Sequence, residues 1–265
     1  MQSNRFKRRM RNLFNPDAKE PYRLSRSRLE NFVSCPRCFY LDRRLGIEPP
    51  GIPSFTLNSA VDELLKKEFD LYRRRHAPHP VMEAYGIEAI PSAHPMIDEW
   101  RENFRGIQYH HPATNLIIQG AVDDIWVDKK GQLFVVDYKS TSTNEAITLD
   151  SQYRESYKRQ MEVYQWLLRQ LKFDVSNTGY FVYCNADKSK EAFNATLTFK
   201  IEIITYIGSV DWVEPVILEA HKCLLLDELP DASNECEYCL YRQISVEVES
   251  QKKQKTFIKA QGELF

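Results

Sequence analysis

The sequence predicts a mixed α/β domain. Three observations carry this: a strongly amphipathic stretch at helical period, two central β-rich runs around a polar turn, and a helix, two strands and a helix behind them. At 265 residues the chain fits one elaborated domain as readily as two small ones. Hydrophobic residues at 43% with only nine glycines describe a chain able to bury a sizeable core, which excludes a disordered protein.

Residues 1–23 read as a flexible basic arm, because charged side chains dominate and Pro16 and Pro21 interrupt any helix. The folded part is expected from Leu24. From Leu57 to Tyr72, the apolar positions Leu57, Val61, Leu64, Leu65 and Phe69 recur at helical spacing. The proline-rich stretch 76–95 reads as a long irregular loop. The period then changes: Leu116–Asp128 and Leu133–Lys139, separated by Lys129-Lys130-Gly131-Gln132, read as a β-hairpin. A second helix is expected over Tyr153–Leu171, with Met161, Tyr164, Leu167, Leu168 and Leu171 on one side. Strands over Gly179–Cys184 and Ala195–Tyr206 and a helix around Val210–Leu226 follow. The lysine-rich end, residues 246–265, reads as a disordered tail.

No uninterrupted apolar run approaches the roughly 20 residues that cross a bilayer, and the N-terminus has no apolar signal core. A soluble, cytoplasmic protein with no membrane partner is expected. The net charge of -1 does not mark a nucleic-acid binder, although basic residues gather in runs such as Arg73-Arg74-Arg75. Each run taken alone reads as solvated surface.

The hairpin carries the chemistry. Asp137 and Lys139 lie two apart on a strand and leave the same face, while Tyr138 points the other way. An acid and a base closing the apolar run Leu133-Phe134-Val135-Val136 are costly to bury unless paired or metal-bound. Asp123 and Asp124 lie on the partner strand, and only one can face the Asp137 side; alternation alone does not decide which.

Gly120-Ala121-Val122-Asp123, thirteen intervening residues, and Asp137-Tyr138-Lys139-Ser140-Thr141 resemble the G-x-x-D … D-x-K-S/T pattern of RecB-like PD-(D/E)XK nucleases. The resemblance implies a restriction-endonuclease-like core, a mixed β-sheet flanked by helices, within a nuclease domain over residues 24–245. It implies that Asp123 and Asp137 hold Mg²⁺ or Mn²⁺, with the Tyr138 carbonyl completing the shell and Lys139 orienting water or stabilising the transition state. Gln160 and Tyr164, four apart on the second helix, resemble the family's Q-x-x-x-Y motif. The family often carries a histidine where this chain has Asp62. A carboxylate can still ligate a hard cation, so Asp62 joins the expected ligands.

Six cysteines in a chain of this kind are not expected to form disulfides. Cys35-Pro-Arg-Cys38 and Cys236-Glu-Tyr-Cys239 are two C-x₂-C pairs, the spacing by which one turn presents two thiolates to one ion. Cys184 and Cys223 read as packing residues. The enclosing placement resembles the iron-sulfur branch of RecB-like nucleases, among them the CRISPR-associated exonucleases. That branch shows one cysteine before the core and C-x₂-C-x₅-C after it, whereas here Ser245 holds the x₅ position and Cys38 is additional. The resemblance implies a 4Fe-4S cluster joining the N- and C-terminal segments; the bare spacing equally suggests Zn²⁺.

Gln261-Gly262-Glu263-Leu264-Phe265 resembles the bacterial sliding-clamp motif Gln-x-Ser/Asp-Leu-Phe, in which Gln261, Leu264 and Phe265 would be the anchors. The resulting expectation is a Mg²⁺- or Mn²⁺-dependent DNA nuclease, exonucleolytic on single-stranded or frayed DNA, in repair or DNA processing. Arg154, Lys158 and Arg159 are candidates for the phosphate backbone. Two alternatives stand beside it: a catalytically decayed DNA-binding scaffold, with Asp62 as the first symptom, and a zinc-clamped nuclease acting on RNA.

Overall fold

The structure, a computed structural model, describes residues 8–51, 55–151 and 154–262, with residues 252–262 as helical backbone only. The chain divides into two compact units. One comprises Met1–Ala18, Asn31–Gly51 and Glu219–Phe265; the other comprises Lys19–Glu30 and Ile52–Leu218. In chain order the elements are β1 (Tyr22–Ser25), α1 (Arg26–Ser34), α2 (Pro36–Arg43), α3 (Thr56–Arg75), α4 (Pro80–Ala84), β2 (Ala89–Pro91), α5 (Ile97–Trp100), β3 (Ile107–His111), β4 (Leu116–Gly120), β5 (Asp124–Asp128), β6 (Leu133–Thr141), α6 (Glu155–Gln170), β7 (Thr178–Ala186), β8 (Phe199–Ile207), α7 (Val213–Leu224) and α8 (Glu237–Gly262). The expected α/β class is observed.

The second unit contains every strand among the described residues. Five form a mixed sheet in the order β2-β5-β6-β7-β8, antiparallel except where β6 and β7 run parallel, and three form a smaller sheet in the order β1-β4-β3. One face of the large sheet meets α3: Leu65 and Phe69 pack with Trp126, Val136, Tyr138 and Val182. Phe69 is fully buried, stacked on Trp126 with ring centroids 5.6 Å apart, and truncating such a side chain costs roughly 3–5 kcal/mol. The apolar stripe of α3 is narrower than its period suggests, since Leu57 and Leu64 are exposed. His76, in the left-handed conformation at φ 50°, ends the helix.

Helix α6 is the most buried helix, with Met161, Tyr164, Leu167 and Leu168 all inside as expected, whereas Leu171 lies past its end and is exposed.

Several sequence expectations differ from the structure. Leu116–Asp128 is not one strand: β4 belongs to the small sheet and β5 to the large one, so the chain changes sheets at residues 121–123. The hairpin proper is β5-β6, with Asp124 opposite Val136 and Val127 opposite Leu133. Stretch 76–95 is not wholly irregular. His79 caps α4 by accepting from the Val81 N–H, Pro80 occupies its first turn, and β2 adds an edge to β5. The arm is not free where it is described. The Arg9 N–H donates to the Gly46 carbonyl, Arg9 pairs with Asp42 at 2.9 Å, and Phe14 is buried. Gly46 sits at φ +73° with the Arg9 backbone against it, leaving no room for a side chain. The segment expected to be a tail continues as α8 to Gly262, because Glu, Gln, Lys and Ala are good helix formers even without a buried stripe. Leu264 and Phe265 lie outside the described residues, as does the Gln261 side chain.

Candidate functional site

Strand β6 ends in the sequence Asp137-Tyr138-Lys139, and its pleat sends these side chains to alternate faces. Tyr138 turns toward α3, where its hydroxyl donates to Asp124 Oδ2 at 2.7 Å. Asp124 is fully buried and also paired with Arg73 at 2.6 Å and Arg101 at 3.1 Å. Asp123, at the start of the hairpin, takes the opposite direction. Its Oδ2 accepts from the Tyr138 backbone N–H at 2.9 Å, which holds the carboxylate over the Asp137 side. The ambiguity between the two neighbours is thereby resolved by geometry: Asp124 is an ion-pair anchor, and Asp123 faces the cluster.

Asp137 is fully buried, ion-paired with Lys139 and set against the Asp123 carboxylate. Burial, reinforced by the Asp123 charge and opposed by Lys139, raises its pKa to about 7. Burial alone would lower the Lys139 pKa, but the Asp137 and Asp123 carboxylates raise it, so this lysine is a fixed cation. Its ammonium also lies 4.7 Å from the centre of the Tyr157 ring.

Helix α3 supplies Asp62 and, one turn on, Lys66. The Lys66 ammonium bridges Asp62 Oδ2 at 2.8 Å and Asp123 Oδ1 at 3.2 Å. Burial and the Asp123 charge raise Asp62 above the usual carboxylate range. Helix α6 supplies Gln160, whose amide donates to the Tyr164 hydroxyl at 3.2 Å. The Tyr164 ring covers Gly120 so closely that any Cβ there would overlap it, which is the physical demand behind a glycine three residues before Asp123. Asp62, Asp123, Tyr138, Lys139 and Gln160 line one cavity of about 340 Å³ together with Tyr157. Lys66 and Tyr157 are the members that sequence reading missed; the spacing of Asp62 and Lys66, four apart on one helix face, was the available signal.

The donor set fits a divalent cation. Asp62 and Asp123, which line the cavity, and Asp137, buried beside Asp123, offer the hard carboxylate oxygens that Mg²⁺ or Mn²⁺ prefer.

The three basic candidates at the start of α6, Arg154 at its N-cap and Lys158 and Arg159 within it, differ in their availability. Arg159 forks onto Glu30 with two bonds, at 2.9 and 2.7 Å, and Lys158 pairs with Glu155 at 2.7 Å. Arg154 lies over the Tyr183 ring at 5.9 Å, with no ion pair to an acid among the described residues.

In the first unit, Cys35, Cys38, Cys236 and Cys239 converge, all four sulfurs within 4.8 Å of one another. Cys35 caps α2 and Cys236 immediately precedes α8, so each pair occupies a helix N-terminus. Arg37 Nε and the Tyr40 hydroxyl donate to the Pro230 and Leu226 carbonyls, at 2.9 and 2.7 Å, tying α2 to the segment that leads into α8. Cys184 and Cys223 are buried outside the cluster, where burial pushes both thiols up to about 11.

The family model of the PD-(D/E)XK nuclease superfamily matches residues 23–244. No curated protein matches the chain. A solved structure described as the crystal structure of SSO0001 is similar at 18% identity and a TM-score of 0.37, over 86% of this chain and 87% of that one.

Proposed function

The chain belongs to the PD-(D/E)XK nuclease superfamily, and from that premise we propose that it is a Mg²⁺- or Mn²⁺-dependent deoxyribonuclease that hydrolyses single-stranded or frayed DNA from its ends. The observation that carries the reading is Asp137: a fully buried carboxylate set beside a second carboxylate, Asp123, and the Lys139 ammonium. Asp62, Asp123 and Asp137 share only the ammonium groups of Lys66 and Lys139, and the excess negative charge is costly to hold there without a further cation.

In this reading Asp62, Asp123, Asp137 and the Tyr138 carbonyl hold the metal, which supplies charge neutralisation at the phosphoryl oxygen and a more acidic water. The Tyr138 N–H fixes the Asp123 carboxylate. Lys139, held by Asp137 and Tyr157, presents a positive charge to the developing negative charge on phosphorus. Tyr164 packs on Gly120 at the end of β4, and Gln160 and Tyr164 offer an amide and a hydroxyl to a phosphate. Arg154, at the N-cap of α6, is the candidate best suited to track the backbone, and Lys158 and Arg159 serve only if their ion pairs open. The nuclease domain spans residues 24–245, the cysteine centre is structural, and Gln261, Leu264 and Phe265 anchor to a sliding clamp. No helix among the described residues is long and apolar enough to cross a membrane; the proposed place of action is the cytoplasm.

One observation favours the scaffold alternative: Lys66 already supplies a cation to Asp62 and Asp123. Incubation of linear and circular single-stranded DNA, blunt duplex and RNA with Mg²⁺ or Mn²⁺ tests the choice. Mononucleotides or short products from linear single strands, with circles intact, are expected. Cleavage of circles makes the enzyme an endonuclease, cleavage of RNA alone changes its substrate class, and DNA binding without any cleavage favours the scaffold.

A further inference from the structure

The cysteine centre has a geometry of its own. Cys38 Sγ stands 3.5 Å from Cys236 Sγ and 3.5 Å from Cys239 Sγ, and Cys35 Sγ stands 3.8 Å from Cys239 Sγ. Four thiolates bound tetrahedrally to one Zn²⁺ at about 2.3 Å stand about 3.8 Å apart, the edge of that tetrahedron. A four-iron cluster asks for something different. Each thiolate there binds its own iron, so the sulfur-to-sulfur span adds the metal-to-metal separation to the metal–sulfur bonds. Four sulfurs within 4.8 Å of one another leave no room for such a cubane between them.

We propose that Cys35, Cys38, Cys236 and Cys239 hold a single tetrahedral Zn²⁺ and that this chain carries no iron-sulfur cluster. The ligand distribution agrees. Two C-x₂-C pairs, each on the first turn of a helix, form two like halves around one ion, and Ser245 stands where the cluster-binding branch has its last cysteine. The N-termini of α2 and α8 contribute partial positive charge to a centre of four thiolates and one divalent ion, which carries net negative charge. Binding deprotonates the thiols and releases their protons to solvent, with no change in oxidation state. The site is closed at four ligands, so its role is to join the segments Asn31–Gly51 and Glu219–Phe265 within the first unit.

The test is the metal content of the full chain, produced with iron, a sulfide source and zinc all available, purified without oxygen and washed with EDTA. About one zinc per chain is expected, with no acid-labile sulfide and no sulfide-to-iron absorption in the visible. Iron and sulfide in matching amounts, with that absorption, would overturn the proposal. Protein recovered with neither metal is titrated with Co²⁺, where the spectrum of a tetrahedral tetrathiolate, abolished by one equivalent of Zn²⁺, is expected; failure to bind either ion overturns it. The Asp137→Ala protein must retain the zinc, and loss there would assign the ion to the carboxylates instead. The paired Cys38→Ser, Cys236→Ser protein must lack it; should that variant be insoluble, the wild-type metal count and cobalt spectrum still decide. None of these readings depends on nuclease activity, so failure of the zinc proposal and failure of the nuclease reading are separately visible.

Discussion

Asp123 and Asp124 are adjacent and chemically identical, yet the structure assigns them opposite tasks, and replacing each by alanine should separate them. Asp124 is fully buried with Arg73, Arg101 and the Tyr138 hydroxyl as partners. Removing one member of a buried ion pair costs roughly 3–5 kcal/mol, because the surviving charge is left without compensation. Asp70 moderates this: its Oδ1 accepts from Arg73 Nε at 2.9 Å and Arg101 Nη1 at 2.8 Å, so neither guanidinium is wholly abandoned. The lower end, about 3 kcal/mol, is therefore expected for Asp124→Ala, or about 6–12 °C in Tm at this domain size. Asp123 instead faces a cavity, with its side chain 21% exposed and Asp137 as a like-charged neighbour. Asp123→Ala should leave Tm within about 2 °C of wild type while abolishing metal-dependent cleavage. Thermal unfolding in EDTA, read beside cleavage in Mg²⁺, measures both. A normal Tm for Asp124→Ala, or an equal loss for Asp123→Ala, would refute the assignment.

Gly120→Ala drives a methyl group into the Tyr164 ring and should cost about 1–3 kcal/mol while displacing Gln160; wild-type stability in a denaturant titration would show that the ring yields freely. Lys66→Met removes the cation bridging Asp62 and Asp123, so the Mg²⁺ concentration for half-maximal binding should fall about three- to tenfold by calorimetry, and an increase would make Lys66 a support rather than a competitor. Because burial raises Asp137 to about 7 while its unfolded pKa is about 4, the metal-free native state binds more protons than the unfolded chain between those values. Its contribution to stability therefore falls as pH rises from about 4 to about 7, and saturating Mg²⁺ should oppose the decline. A metal-free Asp137→Asn protein should lose that slope, and a slope unchanged by the substitution would assign it to other groups.

The periodic elements are legible because their pattern is local. Leu65 and Phe69 announce the buried side of α3, and Met161, Leu167 and Leu168 that of α6, before any partner is known. What escapes is decided by distant residues. The β-rich run Leu116–Asp128 shows no break signal at Gly120–Asp124, but the chain changes sheets there: Tyr164 presses on Gly120, and the Val122 N–H donates to the Trp100 carbonyl at 3.0 Å. The choice between Asp123 and Asp124 rests on Arg73 and Arg101, which no strand pattern contains. Strand β1 has only four residues, Tyr-Arg-Leu-Ser, and exists because β4 offers its edge in parallel, from Tyr22 beside Leu116 to Ser25 beside Gln119. The two C-x₂-C pairs were visible as a metal site from spacing alone, whereas the separation of their sulfurs, which distinguishes one ion from a cluster, is a property of three dimensions.

The central claim is that the Asp123, Asp137 and Lys139 cluster hydrolyses DNA with a divalent cation. Its most direct test is the rate at which the full chain degrades end-labelled single-stranded DNA in Mg²⁺ or Mn²⁺, beside Asp137→Ala and Lys139→Ala proteins shown to be folded. Cleavage by the wild type, abolished in Asp137→Ala and reduced about 100- to 1,000-fold in Lys139→Ala, is the predicted result. Cleavage that survives both substitutions, or a folded wild type inert with either ion, would contradict it.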